Sequence, residues 1–187
     1  MKKHIVVLLI ALVLSGMGRA AFGAGSSVSL KAGYFFPSSS LFREVYKSGP
    51  EFGAEITVPV AGALGIWAGA DLFGKTGKLS VTEETTKVRV IPLFAGLRVE
   101  FGKKGARPYI GAAAAYFLFH EENPLGSVSD HGLGYLVRAG LLAKLAGAIW
   151  LDFFADYRAC TLRTAGDEPL EAKLDGLSAG VGLTFRF

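Results

Sequence analysis

The sequence predicts an all-β fold, an eight-stranded antiparallel up-and-down transmembrane β-barrel. Three observations carry the prediction. Apolar residues recur with period two along most of the chain. No apolar block beyond the N-terminus is long enough for a spanning helix. Short turns alternate with long polar connections. The chain has 187 residues, 51% of them hydrophobic and only 19% charged, with 25 glycines. An ordinary soluble domain carries about 25% charged residues, and a disordered chain needs low hydrophobicity with high net charge. The longest uncharged run after the N-terminus, Ile56 to Ala70, holds Pro59 and Gly62 and falls short of the ~20 apolar residues of a spanning helix. The apolar residues are plentiful but dispersed.

The first 23 residues read as a signal peptide. Lys2, Lys3 and His4 form a charged start, Ile5 to Leu14 is apolar, and Ala21-Phe22-Gly23 offers small residues at a cleavage site. The expected mature domain is therefore 24–187. Removing Lys2, Lys3 and Arg19 from 20 basic residues leaves 17 against 16 acidic ones, so the basic character belongs largely to the signal. It gives no argument for nucleic-acid binding. Cys160 is the only cysteine; no internal disulfide can form, and a buried apolar filler is favoured over an accessible thiol.

Along the mature chain, strand 1 sets Val28, Leu30, Ala32, Tyr34 and Phe36 against Ser29, Lys31 and Gly33. Strand 2 sets Phe52, Ala54, Ile56 and Val58 against Glu51, Gly53, Glu55 and Thr57. Strand 3 sets Ile66, Ala68, Ala70 and Leu72 against Gly65, Gly69 and Asp71, and strand 4 sets Leu97, Val99 and Phe101 against Gly96, Arg98 and Glu100. Strand 5, Pro108 to His120, is apolar or small on both faces, so its facing stays open. Strand 6 sets Tyr135, Val137, Ala139 and Leu141 against Gly134, Arg138 and Gly140; strand 7 sets Ile149, Leu151, Phe153 and Tyr157 against Asp152, Asp156 and Arg158. The last is the clearest, with Leu177, Ala179, Val181, Leu183, Phe185 and Phe187 against small or polar partners. Short turns are expected at 59–63, 102–107 and 145–147, and long loops at 37–50, 74–86, 121–132 and 161–173.

An even number of strands with short turns at one end and long loops at the other is the pattern of an outer-membrane barrel. Closure leaves no unpaired sheet edge in lipid. The alternative is a soluble lipocalin-like barrel with its apolar set inside. That would spend many exposed mid-strand positions on glycine, which weakens a strand, whereas a narrow lumen needs small neighbours beside large ones. Tyr34, Phe36, Phe101, Phe117, Tyr157, Phe185 and Phe187 lie near strand ends, as aromatic girdles require.

Strand parity places a basic set, Lys31, Arg98, Arg138, Arg158 and Arg186, and an acidic set, Glu51, Glu55, Asp71, Glu100, Asp152 and Asp156, inside the barrel. Such charges should pair, because an unpaired buried ion costs several kcal/mol, and the expected result is a plugged lumen. The competing expectation puts the pairs only at the mouths, leaving a mid-barrel zone lined by Gly, Ala, Trp67 and Trp150 for a small apolar solute.

Catalytic chemistry has one weak candidate. His120 and His131 flank Glu121, Glu122, Ser127, Ser129 and Asp130, residue types that suit a nucleophile set or a metal site but are also common in solvated loops. No catalytic, metal or cofactor residue is expected. Asn123 precedes Pro124 and forms no glycosylation sequon. The stretch Lys75 to Thr86 reads as a solvated hairpin tip rather than a contact for lipopolysaccharide phosphates.

The segments SLKAGYFFP (29–37), IPLFAGLRVEF (91–101), RPYIGAAAAY (107–116) and GLTFRF (182–187) resemble the small eight-stranded outer-membrane barrels of Gram-negative bacteria, the group of outer membrane protein W and the barrel domain of outer membrane protein A. The resemblance implies an outer-membrane location, with membrane lipid and lipopolysaccharide as surroundings. It also implies Phe185 and Phe187 as the signal read by the barrel assembly machinery. No peptidoglycan-binding domain is expected after Phe187. The function this implies is a structural or surface-interaction role without enzymatic activity, with a narrow channel for small apolar solutes, or less readily a lipid A-modifying enzyme, as alternatives.

Overall fold

The computed structural model describes residues 24–78, 85–102, 105–124, 126–163 and 171–187; the expected signal peptide lies outside them. In chain order the elements are β1 (Ser27–Pro37), α1 (Ser40–Tyr46), β2 (Gly49–Ala61), β3 (Leu64–Lys78), β4 (Thr85–Glu100), β5 (Ala106–Asn123), β6 (Gly126–Ala146), β7 (Ile149–Arg163), β8 (Glu171–Lys173) and β9 (Gly176–Arg186). Each barrel strand pairs antiparallel with its sequence neighbour, β9 pairs with both β7 and β1, and the ring closes. Eight strands make the barrel. Among the described residues the three-residue β8 pairs only with the far end of β7.

The alternation read from the sequence sets the wall. Leu30, Phe52, Ile66, Leu97, Ile110, Leu141, Phe153, Val181 and Leu183 are exposed on the outside, while Lys31, Glu55, Asp71, Arg98, Arg138, Asp152 and Asp156 are buried inside. A soluble barrel has the opposite polarity. This closed sheet with an apolar exterior is a transmembrane barrel.

The lumen glycines answer to aromatic rings on neighbouring strands. Gly69 stands opposite Phe94, Gly140 opposite Tyr109, and Gly180 opposite Phe154. A Cβ at Gly69 would lie 2.7 Å from the Phe94 ring, and one at Gly111 3.2 Å from Trp67. Gly69, Gly111 and Gly140 thus let a large ring lie across the adjacent strand.

Several connections differ from expectation. The described parts of 74–86 and 121–132 carry strand rather than loop: β3 runs to Lys78, β4 starts at Thr85, β5 runs to Asn123 before a turn at Pro124, and β6 starts at Gly126; 79–84 lie outside the described residues. Beyond the lipid the outer face meets water and turns polar, as at Lys87 and Arg89, while inward Val88 and Val90 pack inside the barrel, so the apolar outer face that marks a strand in the sequence ends while the ladder continues. The 37–50 connection folds into α1, whose Phe42, Val45 and Tyr46 share one face at helical spacing and pack on the barrel interior. In strand 5 the facing is now fixed: Tyr109, Ala113, Ala115 and Phe117 point inward, and Ile110, Tyr116 and Leu118 outward. Phe117 is therefore core and no part of a girdle. Cys160 is a free thiol buried in the same apolar cluster.

The start of the described barrel meets Phe187 at the short-turn mouth. Gly25 N–H donates to the Phe187 carbonyl at 2.7 Å and Phe187 N–H to the Ser26 carbonyl at 2.9 Å. Deleting Phe187 removes both bonds together with the terminal aromatic ring, and the yield of folded barrel should drop several-fold. The ratio of the fast-migrating unheated band to the heated band on a gel measures this; an unchanged ratio would contradict it.

Candidate functional site

The candidate site is the charged lumen, because buried charge in a membrane barrel is costly and needs a compensating arrangement. Its centre is Glu55 on β2. One carboxylate oxygen, Oε1, lies 3.2 Å from Lys31 Nζ and 2.9 Å from Arg98 Nη1; the other, Oε2, lies 2.6 Å from Arg138 Nη1. Arg138, on β6, also reaches Asp71 at 2.9 Å and Asp156 at 2.7 Å through Nη2. Its Nε donates to Asp156 at 2.9 Å. One guanidinium thus joins carboxylates from β2, β3 and β7, and the fork geometry suits this bridging.

The network extends both ways. Toward the short turns, Lys31 holds Asp152 at 2.7 Å. Arg98 approaches Glu100 at 3.4 Å, and Glu100 binds Arg186 at 2.6 Å and Arg107 at 3.6 Å. Toward the long connections, Asp156 lies 3.5 Å from Arg158, which pairs with Glu51 at 2.6 Å. Six cations face six anions in one connected set. All eleven residues read from strand parity, Lys31, Glu51, Glu55, Asp71, Arg98, Glu100, Arg138, Asp152, Asp156, Arg158 and Arg186, lie in it. Arg107 completes it.

Aromatic rings fill the space between the ions. The Arg98 guanidinium lies 3.6 Å from the centre of the Tyr109 ring. Arg138 is flanked by Trp67, Phe94 and Phe154 at 5.3, 5.3 and 4.9 Å, and Arg158 lies over Phe35 at 4.7 Å. Tyr109 also takes part as a hydrogen-bonding group: its hydroxyl accepts from Lys31 at 3.1 Å and donates to Asp152 at 2.9 Å. Sequence reasoning missed this role, since the facing of strand 5 was open. Trp67 is fully buried at the network. Trp150 sits at the short-turn mouth beside Arg107 and Arg186, rather than in mid-barrel.

Above the ions, at the end of the long connections, the lumen turns apolar. Phe35, Phe73, Val88, Val90, Phe117, Leu136 and Leu162 pack together, and α1 closes over them with Phe42, Val45 and Tyr46. Thr86 donates its hydroxyl to Glu121 at 3.1 Å, so the 3.0 Å contact between Tyr46 and Thr86 has the tyrosine as donor. Burial, reinforced by the nearby Glu121 carboxylate, raises the Tyr46 phenol above its ordinary range and keeps that donor proton in place. At the other end a vestibule of about 750 Å³, lined by Arg98, Glu100, Arg107, Arg186 and Phe101, opens among the short turns.

Of the histidine cluster, the structure brings His120 and Ser129 together and sets His131 apart from them. His120 Nδ1 and Ser129 Oγ are 2.8 Å apart on the exposed outer face, while His131 packs against the Tyr116 ring. Asp130 accepts from the His131 backbone N–H. No described carboxylate orients His120, and among the described residues no group of His, Cys, Asp and Glu is arranged to hold a metal.

The fold and this polar lumen within an apolar wall define a class, the small eight-stranded barrels of bacterial outer membranes. Many solved structures are similar in fold, among them the following three. Neisserial surface protein A superposes with a TM-score of 0.62 at 17% identity, covering 87% of this chain and 97% of the other. Outer membrane protein OprG of Pseudomonas aeruginosa gives 0.61 at 14%, covering 89% and 98%, and outer membrane protein W of E. coli gives 0.56 at 15%, covering 88% and 98%. No protein-family profile matches the chain, and no curated protein matches its sequence. The outer-membrane location expected from the sequence agrees with the apolar exterior and with these neighbours.

Proposed function

We propose that the barrel is a non-conducting integral outer-membrane protein with a structural or surface-interaction role, its lumen plugged by ion pairs. The observation that carries this reading is the continuous network from Glu51 to Arg186, six cations against six anions, with aromatic rings packed between them. Passage of an ion would require several short charge-assisted contacts to break together, and those are among the strongest hydrogen bonds a protein makes. The lid of α1 over the apolar cluster closes the other end of the same lumen. One structural neighbour is a surface protein by name, which supports an outward-facing role.

A narrow channel for small apolar solutes is the second reading, favoured by the vestibule at the short-turn mouth. The two part on uptake. Cells making the barrel should take up a small apolar fluorophore at the rate of cells without it. Uptake several-fold faster, abolished by removing the barrel, would replace the plug with the channel.

A further inference from the structure

The outer wall of β3, β4 and β5 carries a feature the lumen does not explain. On β4 the outward residues from Ile91 to Phe101 are apolar or small, and the next two outward residues are Arg89 and Lys87. Ten steps at about 3.4 Å, tilted by about 40°, span roughly 25 Å, the height of the apolar band of such barrels. Arg89 and Lys87 therefore stand just beyond the lipid edge, at the end of the long connections, which faces the cell exterior in barrels with short periplasmic turns.

Register places a small platform around them. Arg89 lies opposite Gly74 on one side and His120 on the other, and Lys87 opposite Thr76 and Glu122. Gly74 leaves the space in front of Arg89 open, and the notch among these residues measures about 370 Å³. Among the described residues neither Arg89 nor Lys87 makes an ion pair, and both are exposed. Lys75, beside them, donates to the Ser48 carbonyl at 3.1 Å. Directly below the cations the wall is greasy: Ile91 is opposite Leu118 and Leu93 opposite Tyr116, with Leu93, Tyr116 and Leu118 exposed.

Two cations without an ion pair among the described residues, above an apolar strip, match a molecule with a phosphorylated head and acyl tails. We propose that this notch binds a phosphorylated glycolipid of the outer leaflet, with Arg89 and Lys87 on its phosphates and its acyl chains along Leu93, Tyr116 and Leu118. Arg89 supplies the fork that suits a phosphate, and Lys87 a point charge. The open notch gives room for a sugar-borne phosphate that a flat wall would lack. This inference does not depend on the lumen being plugged.

The test uses the full barrel in detergent micelles and native mass spectrometry with four probes: bisphosphorylated lipid A, dephosphorylated lipid A, phosphatidylglycerol and inorganic phosphate. The barrel should bind bisphosphorylated lipid A at least about tenfold more tightly than the other three. The double variant Lys87→Gln/Arg89→Gln, which changes only exposed side chains, should lose that preference while keeping its heat-dependent gel shift; Lys144→Gln at the opposite mouth should keep the preference. Equal binding of the two lipid A forms, or an unchanged preference in the double variant, overturns the proposal. Equal binding of phosphatidylglycerol or free phosphate overturns the assignment to a glycolipid.

Discussion

Replacing Arg138 by alanine should destabilise the barrel by about 3 to 5 kcal/mol, the usual cost of removing one partner from a buried ion pair. The reason lies in what remains. Arg138 is fully buried and holds Glu55, Asp71 and Asp156 within 2.9 Å. Without it, Asp71 loses its only ion-pair partner among the described residues, and Asp156 keeps only the 3.5 Å contact to Arg158. Glu55 is less affected because Lys31 and Arg98 still reach it. The double variant Arg138→Ala/Asp71→Asn should therefore recover part of the loss. Urea unfolding in micelles measures both; a midpoint unchanged in Arg138→Ala would show that the arginine belongs to no buried network.

Gly140→Val should be about as damaging, through shape rather than charge. A Cβ at this position would lie 2.5 Å from the Phe153 carbonyl oxygen and 2.5 Å from Cζ and Oη of Tyr109. Overpacking typically costs about 1–3 kcal/mol and occasionally more. Here the displaced ring also bonds Lys31 and Asp152 and covers Arg98, so a loss of about 3 kcal/mol or more is expected. Gly74→Ala, where a Cβ meets only the Val88 carbonyl at 4.0 Å, should stay within about 0.5 kcal/mol. Equal unfolding midpoints for Gly140→Val and Gly74→Ala would contradict the packing account.

How far the sequence reads depends on where the chain lies relative to the lipid. Across the bilayer one face must be apolar, so Leu177 to Phe187 or Leu30 to Phe36 display their parity directly. The charged residues between them could be assigned to the lumen by the same parity. Their partners could not, because pairing joins distant strands: Arg138 meets Glu55 across 83 positions of sequence. Where the lumen face is built from Gly111, Ala113 and Ala115 against outward Ala112 and Ala114, parity has nothing to distinguish the faces. Phe117 and the inward role of Tyr109 were hidden for that reason. Outside the lipid, in Thr85 to Arg89 and Ser127 to His131, the ladder continues while the demand for an apolar outer face ends, and strand reads as loop. The lid α1 did leave a signal. Ser39 and Ser40 precede Phe42, Val45 and Tyr46 at helical spacing, but seven residues amid a polar connection are too short to stand out against the period-two background.

The most direct test of the plugged lumen is electrical. On the plugged reading, the purified barrel, folded and inserted into a planar bilayer, should produce no stable channels at moderate voltage, because passage from the vestibule to the apolar cluster under α1 would have to break the contacts of the Glu55–Arg138 centre. Arg138→Ala, by opening that centre, should admit small intermittent currents. Stable, long-lived channels of large conductance in the unaltered protein would contradict the account.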